Sequence, residues 1–153
     1  MGDAIRCAIA AAGTEALSPA LALEHVSDPA FGGQALFVGR VRNHSDGRPS
    51  TAVHYDLFEP LALAQFQRIA QDVIDRHGPG LRVSIVHAKG LLQIGDIAVV
   101  VAAGSAHRDT AFRACRELIE AVKHQAPIWK QEHYADGEAE WRAGASLRND
   151  DHG

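Results

Sequence analysis

Apolar positions along the chain recur at two spacings, and the switching between them lays out a mixed protein. Residues 4–10 alternate loosely and predict an opening strand. Ser18-Pro19 pairs an N-cap residue with proline at the first helical position, which predicts a short helix through His25. Gly32-Gly33 interrupts the chain before a strand over 34–38. Asn43 to Ser50 collects Asn, Ser, Asp, Gly and Pro and reads as an exposed loop, followed by a strand over 52–58. Pro60 to His77 then carries Ala62, Phe66, Ile69, Ala70 and Val73 at helical spacing, and Gly78-Pro-Gly80 ends it.

The second half repeats the theme. Residues 81–87 alternate as a strand, Gly90 and Gly95 punctuate a hairpin-like region, and 97–103 form a continuous apolar strand. A second long helix is predicted from Ala106 to His124, with Phe112, Cys115, Leu118, Ile119 and Val122 as its apolar face. Residues 128–134 suit a short strand, and from Arg142 onward the chain is small, polar and charged. The order predicts an α+β fold in one domain over 1–141, with a flexible tail over 142–153.

Composition narrows the function. A chain of 153 residues with 46% apolar and 22% charged content suits one globular domain. Its net charge of -4 argues against a general binder of nucleic acid or membrane surfaces, so any anion site has to be local. No window is long and apolar enough for a membrane span and no leader pattern opens the chain, which makes the expected compartment cytoplasmic. Cys7 and Cys115 stand far apart in apolar surroundings and read as buried free thiols. The histidines show no metal-ligand spacing, and no nucleophile–base motif or phosphate-loop motif is present.

Three basic clusters remain. Lys123-His-Gln-Ala-Pro-Ile-Trp-Lys130 closes the second long helix with one lysine and sets another beside Trp129. A lysine among apolar groups loses hydration, which suits proton donation or anion clamping. Ser105-Ala-His-Arg108 opens the same helix, where unpaired N–H groups and the dipole favour an anion; the same side chains could equally be solvated or paired with Asp109. Gly39-Arg-Val-Arg42 ends an apolar strand with two arginines two apart, suited either to phosphate or to guarding a sheet edge. Lys123 lies 15 positions beyond Arg108 (123 − 108), about 22 Å on a straight helix. The two cannot serve one small molecule within a chain, so a shared pocket calls for a homodimer.

Phe37-Val-Gly-Arg-Val-Arg-Asn-His44, Ser105-Ala-His-Arg108 and Lys123 to Lys130 resemble, in order and spacing, the large catalytic subunit of molybdopterin synthase. Residues 85–95 and Asp136-Gly-Glu to Trp141 are similar to that family too, so the likeness runs from about Phe31 to Trp141. The resemblance implies an α/β hammerhead with an added antiparallel sheet. It implies insertion of two sulfurs into cyclic pyranopterin monophosphate, giving the dithiolene of molybdopterin. The sulfurs come from the C-terminal Gly-Gly thiocarboxylate of a small ubiquitin-like carrier, and two large subunits form a central dimer. No permanently bound cofactor or metal is implied. By position, Arg42, His107 and Arg108 match substrate-anion-binding residues and Lys123 and Lys130 the essential lysines. Arg40, Val41, Gln131 and Glu132 match pocket-lining positions. Two other readings compete: a non-catalytic carrier-binding module of the same fold, and a small-anion sensor without a protein partner.

Overall fold

Strand β5 (Arg82–Gln93) is the spine of the computed structural model, which describes residues 4–143. Its first half pairs with β6 (Ile97–Ser105) from Arg82 to His87, and its second half pairs with β4 (Arg48–Leu57) from Gly90 to Gln93. Gly90 sits at the handover with φ 88, a conformation that L side chains rarely adopt. One strand thus joins two halves of an eight-stranded sheet, ordered β2-β6-β5-β4-β7-β8. Here β2 is Gly33–Arg40, β7 is Ile128–Tyr134 and β8 is Ala139–Ala143. All these neighbours are antiparallel, while β1 (Ile5–Ala11) joins β5 in parallel. The α+β expectation matches this arrangement.

Three helices cover the sheet: α1 (Pro19–His25), α2 (Glu59–His77) and α3 (Arg108–Gln125). Ser18 caps α1 through Oγ, accepting from the amides of Ala20 and Leu21 as the Ser-Pro pair predicts. The predicted face of α2 is wholly buried, with Phe66, Ala62, Ala70 and Val73 at 0% exposure. It packs with Leu118 and Val122 of α3 over Val83, Ile85 and Val101 of the sheet.

The structure corrects four expectations. The apolar stripe of α3 centres on Ala111, Ala114, Leu118 and Val122, which turns Phe112 outward to 66% exposure. The helix begins at Arg108 with His107 as its capping residue; Ser105 belongs to β6, and its hydroxyl only accepts a 3.5 Å contact from the His107 amide. The predicted loop over 43–50 holds a tight hairpin instead, pairing β3 (His44–Ser45) with the start of β4. Asp46 (φ 53) and Gly47 (φ 75) form its turn, an Asp-Gly pair suited to the two-residue hairpin geometry that such a strand pair needs. Finally, Arg142 and Ala143, assigned to the tail, form the end of β8, while 144–153 lie outside the described residues.

Cys7 is half-buried and Cys115 buried, both as free thiols, and burial pushes their pKa values up to about 12 and about 11. Among the described residues no helix is long and apolar enough to cross a membrane.

Candidate functional site: a cationic cleft

The cleft forms where β2 ends beside the junction of α3 and β7. Pro127 follows the last turn of α3 and sends the chain directly into β7, so Lys123 and Lys130 converge on one space. That space holds about 400 Å³ and is lined by Arg40, Val41, Arg42, Lys123, Lys130 and Glu132, among others. Four cations therefore face one carboxylate, in a chain whose net charge is -4. Such a local excess of positive charge selects an anionic ligand.

Alternation along β7 decides who faces the cleft. Lys130 is half-buried and Glu132 is 4% exposed on the inner face, while Trp129 and Gln131 are on the other. Gln131 meets Trp141 across the strands and its Oε1 accepts from the His133 ring Nε2 at 3.0 Å, so it does not line the cleft. Ser50 donates to Glu132 Oε1 at 3.3 Å and gives the buried carboxylate a partner.

On the opposite wall, β2 shifts register between Gly39 and Arg40 and stops. Arg40 and Arg42 therefore do not ride one continuous strand, although both line the cleft. Arg40 donates from Nη1 to the Gly95 carbonyl at 2.8 Å. Val41, 6% exposed, exchanges backbone bonds with Asp96 (3.0 Å) and Gly95 (2.8 Å), which pins the wall to the β5–β6 turn. A Cβ on Gly39 would meet Val99 Cγ1 at 2.7 Å, so only glycine lets the wall approach β6 this closely.

The rim is held by ion pairs between two hairpins. Arg48 contacts Asp136 (2.9 Å), Glu138 (2.8 Å) and Glu140 (2.9 Å), with its guanidinium 3.6 Å above the Tyr134 ring. Arg142 pairs with Asp46 at the hairpin turn. These contacts fix β3, whose His44 and Ser45 border the cleft.

His107 and Arg108 are elsewhere. Both are exposed at the start of α3, and the unbroken helix keeps them about 22 Å from Lys123 at its rise per residue. Gly32 and Gly33 let the start of β2 press against this turn, since a Cβ on Gly33 would come within 2.8 Å of Arg108 Cα. Asp109 pairs with Arg113 at 3.1 Å, not with Arg108. The structure thus gathers Arg40, Val41, Arg42, Lys123, Lys130 and Glu132, and leaves His107, Arg108 and Gln131 outside. Sequence reasoning passed over Tyr55 and Val53, which line the cleft from β4. Their alternation was readable, but the pairing of β4 with β7 was not.

Among the described residues no His, Cys, Asp or Glu group is arranged to hold a metal ion. The fold and the cleft together define a small α+β protein with a lysine pair in a cleft suited to an anion.

Comparison with known proteins gives that class a family. The family described as MoaE protein matches residues 12–125. A molybdopterin synthase catalytic subunit of Nostoc sp. is 44% identical over 125 residues, covering 79% of this chain and 76% of the relative. Molybdopterin synthase catalytic subunit 1 of Mycobacterium tuberculosis is 42% identical over 119 residues, covering 78% and 80%. Among solved structures, molybdopterin synthase from Staphylococcus aureus aligns with a TM-score of 0.80 at 31% identity, covering 92% of this chain and 98% of that one. The chain belongs to the MoaE family, whose curated relatives are catalytic subunits of molybdopterin synthase.

Proposed function

We propose that this protein transfers two sulfurs, delivered as thiocarboxylates on the C-terminal Gly-Gly of a small ubiquitin-like carrier, to cyclic pyranopterin monophosphate. The product is molybdopterin with its dithiolene. The observation that carries this reading is the convergence of Arg42, Lys123 and Lys130 on one cationic cleft in a chain of the MoaE family. In this reading the pterin is substrate, and no resident cofactor takes part.

The residues divide the work by chemistry. Arginine forks suit the phosphate, so Arg40 and Arg42 hold that group at one wall. The thiocarboxylate sulfur attacks an oxygen-bearing side-chain carbon of the pterin, and the C–S bond forms as the C–O bond at that carbon breaks. The oxygen leaves with the opened phosphate at one carbon and as water at the other. Water then cleaves the resulting thioester, and the carrier leaves as its carboxylate. Lys123 and Lys130 stabilise the negative charge that develops on the acyl oxygen and supply protons at the reacting carbons. Glu132, buried on the same strand face as Lys130, limits the excess positive charge.

His107 and Arg108 enter from a second copy of the chain. Strand β2 is a sheet edge carrying Leu36 and Phe37, each 38% exposed, and α3 adds exposed Phe112 one turn from Arg108. An apolar edge of this kind suits a two-fold interface that carries His107 and Arg108 to the partner's cleft. The two free thiols fit a reducing, cytoplasmic compartment.

The test is reconstitution with thiocarboxylated carrier and cyclic pyranopterin monophosphate, reading molybdopterin. Turnover supports the enzyme. A tight carrier complex without turnover would favour a carrier-binding module, and ligand binding without a carrier complex a sensor.

A further inference from the structure

Beneath the cleft, His87 on β5 is 5% exposed and has no place in the reaction described above. Its Nδ1 lies 2.7 Å from the Ala88 carbonyl, so that nitrogen carries the proton and the ring is neutral; burial lowers its pKa to about 4. The ring meets Tyr55 edge to face, with centroids 4.9 Å apart and planes at 80°. Tyr55 in turn stands directly opposite Lys130 in the β4–β7 ladder and lines the cleft beside it. On its other side the β5 partner of Tyr55 is Gly90, which contributes no side chain. The Tyr55 ring therefore meets a buried imidazole, and Lys130 is its direct cross-strand neighbour in the cleft.

From this stack we infer that Tyr55, braced by His87, is a positioning residue for Lys130. Directly opposed side chains on one sheet face lie about 5 Å apart at Cβ, close enough for the lysine methylenes to lie along the ring. The ring shields one side of that stem from water and leaves the ammonium one direction, into the cleft. His87 stops the ring from rotating into the space below. The role proposed is that of the aromatic face, which Tyr55→Phe keeps.

The inference rests on the proposed reaction at this cleft, and the experiment separates the two. Molybdopterin formation is measured with saturating thiocarboxylated carrier over a range of pterin concentrations, for wild type, Tyr55→Leu, Tyr55→Met and Tyr55→Phe, with melting temperatures alongside. A misplaced catalytic group costs on the order of 10–100-fold, so both ring-less variants are expected to lose kcat by about that factor while the pterin KM stays within about twofold. Tyr55→Phe is expected to recover most of the loss. Adding Tyr55→Leu to Lys130→Ala is expected to cost little more than Lys130→Ala alone, because the ring acts through that lysine. Wild-type kcat in both ring-less variants overturns the positioning role. So does a Tyr55→Phe loss as deep as that of Tyr55→Leu, or a loss seen only where melting falls below the assay temperature. Failure of the wild type to make molybdopterin overturns the underlying reaction instead.

Discussion

The two ends of α3 carry similar charges in opposite electrostatic settings. At the C-terminal end, Lys123 and His124 face the negative pole of the helix, where a cation is stabilised. At the N-terminal end, Arg108 and the capping residue His107 stand at the positive pole, exposed, with the nearest acid turned to Arg113. The fold thus rewards the charge at one end and penalises it at the other. The cationic cleft is at the far end of the same helix, so in the proposed reading one helix holds two halves of a site that it keeps apart.

The largest effect should come from the rewarded end. Lys123→Ala is expected to cut molybdopterin turnover by about 10²–10³-fold, or about 3–4 kcal/mol of barrier, while calorimetry shows carrier binding retained. Normal product yield from that variant would remove Lys123 from the chemistry.

Beneath the cleft, His87 should give the next effect, and it reads stability rather than rate. The unfolded chain takes a proton at the ordinary value of 6.5, whereas the folded ring resists until about 4. Between these values the unfolded state binds more protons, so stability falls as pH falls through that window. The loss is on the order of 3 kcal/mol and levels off below the window. Denaturant titrations across the range should show a slope that His87→Phe flattens; equal slopes in both proteins would contradict the buried neutral ring.

At the penalised end, Gly33→Val forces a Cβ against the Arg108 backbone, a neighbour that cannot swing away. Overpacking of this kind costs about 1–3 kcal/mol, read as a lower urea midpoint. The smallest effect sharpens the comparison most. Arg108→Ala should raise stability by a few tenths of a kcal/mol, since it removes a cation from the positive pole, even as activity falls. A clear fall in stability would show that Arg108 serves the fold.

Much of this arrangement was legible in the sequence because it depends on local pattern. The α2 stripe from Ala62 to Val73, the Ser18-Pro19 cap and the strand over 97–103 are set by spacing and residue type, and each is in place. The helical span between Arg108 and Lys123 is set by their spacing in the sequence, and α3 keeps them apart. What escaped depends on neighbours distant in the chain. Phe112 fits the apolar period, but the sheet takes up the adjacent stripe and leaves it outside. Gln131 belongs to a matching segment, yet strand alternation turns it from the cleft. Asp46-Gly47 read as part of a loop because its hairpin partner is a strand of only two residues. Tyr55 and His87 come together only through β5 and β4, which no local period announces.

The claim that one site is built from two chains is tested most directly by mixing inactive variants. Lys130→Ala protein has an intact Arg108, and Arg108→Ala protein has an intact Lys130. When the two are exchanged at equal amounts into random dimers, half of the dimers are mixed, and each of these holds one fully intact site. Molybdopterin formation should then recover to about a quarter of the wild-type rate. A mixture that stays at the level of its two parents would contradict the shared site and place all the chemistry within one chain.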